Sequence, residues 1–566
     1  MKRLTWLLLI ALLPVLPARA QDSVFPLPAP LYILTSEHVV LRVDPVTGGQ
    51  TIISPEDQPV TDFDIAPDGE WYAYRTSSNN GVVVTELDGQ SGFVVEFGES
   101  APPSGPAQTI AWSPDAARLA YIVPQGVRIA ELGAGEYGEA LFSTIQGQWT
   151  ELYWDGIDSL IVSDDAGVTT RISGTSGQWT VEAVAMAARP QPRVPSYLSD
   201  QGVMLSNSTV VPGTAGALAY DWGPLPPEIV DGVPLLADLY FIAADDAGIA
   251  QVWRLPASGD PAQQVTAAST AVIGYDVAPG SGRTAYVAGD RLIAASLDGS
   301  DQRELAALRF EYNPPQPEWS PEGTHIAFHD ARGVWIVPAD GSQPPRLVAQ
   351  SQSNPETAGP SGVRVYFDPR WSPDGSRLLI GVGFYEGSIL AVLDPATGGV
   401  TDLNTVAANL GTWTDDGRVL TWASGFGYQI PGLYLLDPAR PDARPVSILG
   451  SQHPVVQAAP GTSGRGWYAL VATPSGIGPQ YVRVWQAGAP QGPFTPVDAV
   501  SGGFVQRPQV RVPEPEAVDQ AQIAGLRAMR YDGQGGPSGD LVVLDARGTL
   551  VQVRTNGRVS AVQWGR

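Results

Sequence analysis

The chain has 566 residues, a formal net charge of −25, no cysteine, 63 glycines and 52 prolines. The acidic balance disfavours nucleic acid as a partner, because phosphate binding needs a cationic surface. The lack of cysteine excludes a disulfide framework and a cysteine-linked lipid anchor. Helical periodicity is nearly absent, and about one residue in five turns the chain, as an all-β protein with many hairpins requires.

Residues 1–20 carry Lys2 and Arg3, an apolar run over 4–16 and the small-x-small site Ala18-Arg19-Ala20. This is the pattern of a secretory signal peptide cut before Gln21, so the mature protein is expected to be exported: periplasmic, cell-surface or secreted. No later apolar stretch is long enough for a spanning helix, so no transmembrane segment is expected after cleavage. Lys2 is the only lysine, and the acidic surplus reads as a solvated surface.

From residue 31 onward one unit recurs. An aromatic-led turn of the form W-S-P-D-G stands at 112–115, 319–323, 371–375 and 413–417, with an Asp-led version at 64–69, each followed by a short apolar strand. In Ser372-Pro373-Asp374-Gly375, Pro sets φ at the second position, Asp caps backbone donors and Gly takes the positive φ. Units over 110–142, 275–305, 318–348, 364–401 and 412–449 fit closely, and 153–184, 217–266, 455–497 and 527–557 fit loosely. Self-similarity at roughly 35 to 50 residues with four strands per repeat predicts a β-propeller.

About eleven such units exceed one ring of four to eight blades, so the expected architecture is all-β, with two tandem propellers of about six four-stranded antiparallel blades each. The division is expected at 21–310 and 311–566. Strands 31–55 lack an innermost partner and 558–564 resembles one, so their pairing is an alternative closure of the second ring. The stretches 189–216 and 501–523 break the period, as degenerate blades or inserted loops, and are the first candidates for contact surface.

The W-S-P-D-G turn followed by R-L-A-Y-I at 118–122 or H-I-A-F-H at 325–329 resembles the TolB-like, or WD40-like PD40, β-propeller repeats. The resemblance covers most of 31–566. It implies a propeller and, by analogy with TolB, work at the cell envelope with protein partners. The same repeats resemble the propellers of prolyl oligopeptidase relatives, whose catalysis lies in a separate α/β-hydrolase domain. Here Gly461-Thr462-Ser463-Gly464 misses the spacing of a G-x-S-x-G elbow, so a hydrolase of that kind is not expected.

The chemistry-bearing residues mostly have structural readings. His325 and His329 lie on one strand about 13 Å apart, too far to share one zinc ion. The turn aspartates Asp68, Asp115, Asp374 and Asp416 are required by the turn. Calcium has no specified site: D-x-D-x-D-G does not occur, and Asp164, Asp165, Asp245 and Asp246 are only a loose acidic set. Trp112, Trp154, Trp319, Trp371 and Trp413 hold a fixed place in the repeat and read as packing between blades. Trp222, Tyr312 and Tyr366 lie near expected innermost strands and are the candidates for contact at a channel mouth. No catalytic, cofactor or metal residues are assigned. The reading is an exported, non-enzymatic scaffold for a protein, ligand or envelope component, the alternative being a carbohydrate- or small-metabolite-processing enzyme in a propeller channel.

Overall fold

The computed structural model describes residues 26–565, apart from positions 56, 78–80, 88–91, 97–107, 133–139, 176–177, 185–191, 311–313, 354–361, 385–386, 404–409, 424–429, 452, 462–465, 473–479, 498–503, 512–520, 533–535 and 545–548. The proposed signal peptide lies outside the described residues. Every named element is a β-strand. The strands form nine four-stranded sheets, one two-stranded sheet and one nine-stranded path that joins two further blades through Gln480↔Val505 and Tyr481↔Phe504.

The turns that define the repeat are built as their sequence requires. Ser372 Oγ donates to Asp374 Oδ1 at 2.6 Å, and the same hydroxyl accepts the N–H of Arg377 at 2.9 Å. Gly375 then takes φ +68°, the left-handed region glycine tolerates. The copy at 112–117 has Ala116 at the matching place, with φ +54°.

Pairing divides the chain into two rings. In the first, Leu31–Leu34, Val40–Val43 and Gln50–Ile52 are completed on the inside by Ala219–Trp222, with Leu31 opposite Trp222. Three four-stranded blades follow, spanning 60–96, 110–146 and 151–184. The fifth sheet is the two-stranded Ser196–Ser199 and Gly202–Leu205, extended by a bridge between Met204 and Val210. The Pro- and Ser-rich stretch 189–216 is therefore, where described, a reduced blade.

In the second ring, Leu239–Ala244 pairs inward with Val562–Trp564, Leu239 opposite Trp564. Residues 31–55 and 558–564 therefore do not pair with one another; each ring is closed by its own strand exchange. The expected cut at 310/311 would also split one hydrophobic core, in which Ala285, Val287 and Leu292 pack on Trp319, Ile326 and Phe328. Among the described residues, five sheets pair within Leu31–Trp222 and seven four-stranded blades within Leu239–Trp564. Phe504–Arg511, from the second irregular stretch, is the innermost strand of the last blade.

The link between the rings is itself a strand. Glu228–Val230 runs parallel to Leu550–Val553 at the outer edge of that last blade, and Asp231 pairs with Arg554 at 2.7 Å. Each neighbouring pair of blades in the second ring shares an apolar cluster. In the first ring such clusters join blades one to two, two to three, three to four and five to one. The seam between blades four and five has no such cluster among the described residues.

Candidate functional site

A β-propeller gathers the innermost strands of all its blades around one channel, so residues distant in sequence meet there. The repeated tryptophans set that arrangement. The indole N–H of Trp319 donates to the carbonyl of Asp276 one blade back, at 3.2 Å. Trp371 does the same to Glu318 at 3.3 Å, Trp413 to Arg370 at 3.1 Å and Trp564 to Gln509 at 2.9 Å. In the first ring Trp154 donates to Ala111 at 3.1 Å. Each ring thus packs between blades and counts them by a hydrogen bond, as the fixed position in the repeat predicted.

The accepting carbonyl belongs to the residue just before the neighbouring blade's Trp, or its equivalent. Those positions face the channel. In the second ring they include Asp276, Glu318, Arg370, Thr412 and Gln563, and with Gln316, Asp368 and the rings of Tyr275, Trp371 and Trp413 they line a cavity of ≈ 490 Å³. Asp276 is buried; its Oδ2 accepts the N–H of Trp319 at 2.8 Å and its Oδ1 accepts from Gln563 Nε2 at 2.7 Å. Arg370 donates to the carbonyl of Gly411 at 2.9 Å. Asp368 sits at a break in strand register with φ +46°, its N–H donating to His329 Nδ1 at 3.3 Å. Burial holds the His329 imidazole below its usual pKa, so it stays neutral, as an acceptor at Nδ1 must be. Sequence reading missed these residues: they share the place before each repeat Trp or its equivalent, but they do not share a chemistry.

Two of the matching positions in the first ring are acidic, while Ala111 and Tyr153 hold others. Asp221 precedes Trp222, and Asp64 leads the Asp-type turn. Asp221 Oδ2 accepts the N–H of Ile65 at 3.0 Å, and Asp64 Oδ2 accepts that of Trp112 at 2.6 Å. Burial and then the neighbouring Asp221 charge push Asp64 well above the ordinary carboxylate range, and burial raises Asp221 as well.

The expected contact residues stand elsewhere. Trp222 is 1 % exposed, with its indole N–H donating to Ser196 Oγ at 2.8 Å in the core between blades five and one. Tyr366 is 8 % exposed and packs with Leu378 and Ile380. Both rings fill inter-blade cores rather than a channel mouth, because successive residues of an innermost strand face the two adjacent blades. Tyr312 lies outside the described residues. Asp164 and Asp245 each accept two N–H groups of their own turns, from Ala166 and Val168 and from Ala247 and Ile249. Among the described residues no group of three or more His, Asp or Glu side chains is placed to hold a metal ion.

This chain is an all-β protein of the β-propeller class. No protein-family model matches it, and no curated protein is similar to it. Solved structures similar to it include the putative TolB from Agrobacterium tumefaciens, at 14% identity over 48% of this chain and 92% of that one, TM-score 0.31. TolB from Acinetobacter baumannii is similar at 12% identity over 73% and 81%, TM-score 0.33. A puromycin-hydrolyzing peptidase from Mycobacterium tuberculosis is similar at 13% identity over 58% and 55%, TM-score 0.38. The propeller assignment itself rests on the sheets and inter-blade hydrogen bonds of this chain.

Proposed function

We propose that the protein is an exported, non-enzymatic scaffold that holds a protein or envelope component at the mouth of its second-ring channel. The observation that carries this is the commitment of the channel's polar groups. Asp276 spends both oxygens on Trp319 and Gln563, and Arg370 is tied to Gly411, so these groups build the ring. Asp368 is exposed and lines the cavity, and its backbone N–H donates to the buried His329 Nδ1 at 3.3 Å. Fixed polar groups around a preformed cavity are what recognition requires. The leader pattern in residues 1–20 supports export.

The test is affinity capture from envelope extract with the intact protein and with Asp368→Arg. Partners recovered by the first and lost from the second, at unchanged circular dichroism, are expected; identical recoveries would sink the assignment to this mouth. A small-metabolite or carbohydrate enzyme is the second reading, favoured only by the carboxyl pair in the first ring. Retaining glycosidases separate their carboxyl groups by about 5–5.5 Å and inverting ones by more, to admit the reacting sugar or water. Asp64 and Asp221 instead each accept a backbone N–H from a neighbouring blade, Asp64 from Trp112 and Asp221 from Ile65. Turnover on a glycan and lactone panel, abolished by Asp64→Asn, would restore that reading.

A further inference from the structure

We propose that a second cavity, in the seam between the blades spanning 272–307 and 318–350, binds a small monocarboxylate with an aromatic body. This cavity is separate from the channel mouth and holds ≈ 400 Å³, a size typical of small-ligand sites. One wall is Glu304–Ala307, from the outermost strand of the earlier blade. The other is Phe328, Arg332 and Trp335, from two central strands of the later blade and the hairpin that joins them. Leu305, Ala306 and Phe328 are buried, Arg332 and Trp335 are half-buried, and Glu304 and Ala307 are exposed.

Asp330, whose side chain is fully buried, organises the second wall. Its Oδ1 accepts the N–H of Arg332 at 2.9 Å and the indole N–H of Trp335 at 2.8 Å. Its Oδ2 accepts from Arg332 Nε at 2.8 Å and from Nη2. The guanidinium carbon then stands 4.5 Å from the centre of the Trp335 ring, which lies within 8° of parallel to Phe328. Nη2 also donates across the seam to the carbonyl of Ala307 at 3.2 Å. Two guanidinium nitrogens are thus committed and the side chain is held in place, while Nη1 has no partner among the described residues. The blade fold does not require this set. Hairpins of the same two-residue length close at Ala288–Arg291 and Val123–Gly126, as this one does at Asp330–Gly333. They hold Ala288 and Val123 where Asp330 stands, and Ile293 and Arg128 where Trp335 stands.

A carboxylate is the acceptor that a fixed arginine holds well, through a charge-assisted hydrogen bond. Only one nitrogen is uncommitted, and Glu304 places a negative charge on the facing wall, its Oε2 already engaged by Arg291 at 2.9 Å. A dianionic phosphate would meet that charge with too few donors, so the ligand carries a single carboxylate. Its body lies against Leu305, Ala306, Phe328 and Trp335, and a flat ring suits the parallel planes of the last two.

The test is a ligand-observed NMR titration of the full chain with phenylacetate and N-acetylphenylalanine, each beside its primary amide. Both acids carry the required chemistry. Tighter binding of phenylacetate would mark a free acid as the natural source and tighter binding of N-acetylphenylalanine a peptide C-terminus; either supports the site. At least one acid should bind with a Kd of about a millimolar or better, and its amide at least about tenfold more weakly, because the charge-assisted bond is lost. Ala307→Phe fills the cavity from its exposed rim without altering Asp330 or Arg332, and should abolish binding. Arg332→Gln should bring the acid down to the level of its amide. No binding by either acid, equal binding of acid and amide, or undiminished binding to either folded variant would overturn the proposal. The comparison of acid with amide is made on the wild-type chain, so it decides the matter even if neither variant folds.

Discussion

Asp115 in the first ring and Asp374 in the second occupy the same place in the same turn. Each accepts a hydrogen bond of 2.6 Å from the serine two residues before it. Yet burial pushes the Asp115 carboxyl up, whereas the Ser372 hydroxyl and the N–H and hydroxyl of Ser376 draw Asp374 down to about 2. The contrast extends to the neighbours. Asp68, buried in its turn, rises to about 6, while Asp416, exposed beside Arg418, falls to about 2. A repeated motif fixes its own hydrogen bonds, but the packing above it sets the charge state. At these turns the first ring buries carboxyl groups that prefer to be neutral, and the second displays carboxylates that prefer to be charged.

The largest effect that separates the rings should come from their tryptophans. Trp319 is fully buried and donates to Asp276. Trp319→Ala should destabilise the second ring by about 3–5 kcal/mol, measured by denaturant unfolding. Hydrogen exchange should show the loss in residues 239–564 and leave the first ring's inner strands protected. Loss of protection in both rings would mean that they unfold as one unit and that the comparison is artificial.

The next effect is opposite pH dependence. Asp62 and Asp68 are raised to about 6 by burial, so the stability they contribute is complete below about pH 4 and is lost as pH climbs through about 6. Asp374 and Asp416 are lowered to about 2, so their contribution is present above about pH 4 and disappears as pH falls toward 2. The second effect is smaller because these groups are exposed and screened by salt. Thermal scans between pH 3 and 7.5 should show the first-ring transition moving down as pH rises and the second moving up. Transitions that move together would break the distinction.

The smallest effects test single turn positions. Asp115→Asn should be neutral or slightly stabilising at pH 7, because it removes a buried ionisation while keeping the Ser113 acceptor, whereas Asp374→Asn should be slightly destabilising. Ala116 stands at φ +54° where the other turns place glycine, so Ala116→Gly should stabilise the first ring by about 1 kcal/mol. A loss on that substitution would show that Ala116's packing outweighs its backbone conformation.

The repeat was legible because its turn needs particular residues at particular places: Pro373, Asp374 and Gly375 each answer a backbone requirement. The tryptophans' role was legible for the same reason, since a large ring at a fixed repeat position must meet a neighbouring blade. Blade five was not, because Ser196–Leu205 carries neither Trp nor W-S-P-D-G, only two short strands around a polar turn. Ring closure was also hidden. Leu31–Leu34 can pair with any short apolar strand, and nothing local distinguishes Ala219–Trp222 from Val562–Trp564, both of which end in Trp. The channel residues were hidden because Asp276, Glu318, Arg370, Thr412 and Gln563 share a position without sharing a chemistry. Trp222 was misjudged for a related reason: an innermost strand turns alternate residues toward two buried interfaces, so a large ring there signals packing.

The way each ring is closed also sets the order in which the rings can be completed during synthesis. The first needs nothing beyond Trp222 to pair its opening strand. The second leaves the inner edge of Leu239–Ala244 open until Val562–Trp564 has been made. It must therefore hold an unfinished sheet while six blades accumulate behind it, and such open edges invite pairing with other chains. The linker strand Glu228–Val230 waits equally long, since its partner Leu550–Val553 belongs to the last blade. The first ring can thus be a finished, folded body on a tether, and the two rings become one object only when the final strands arrive.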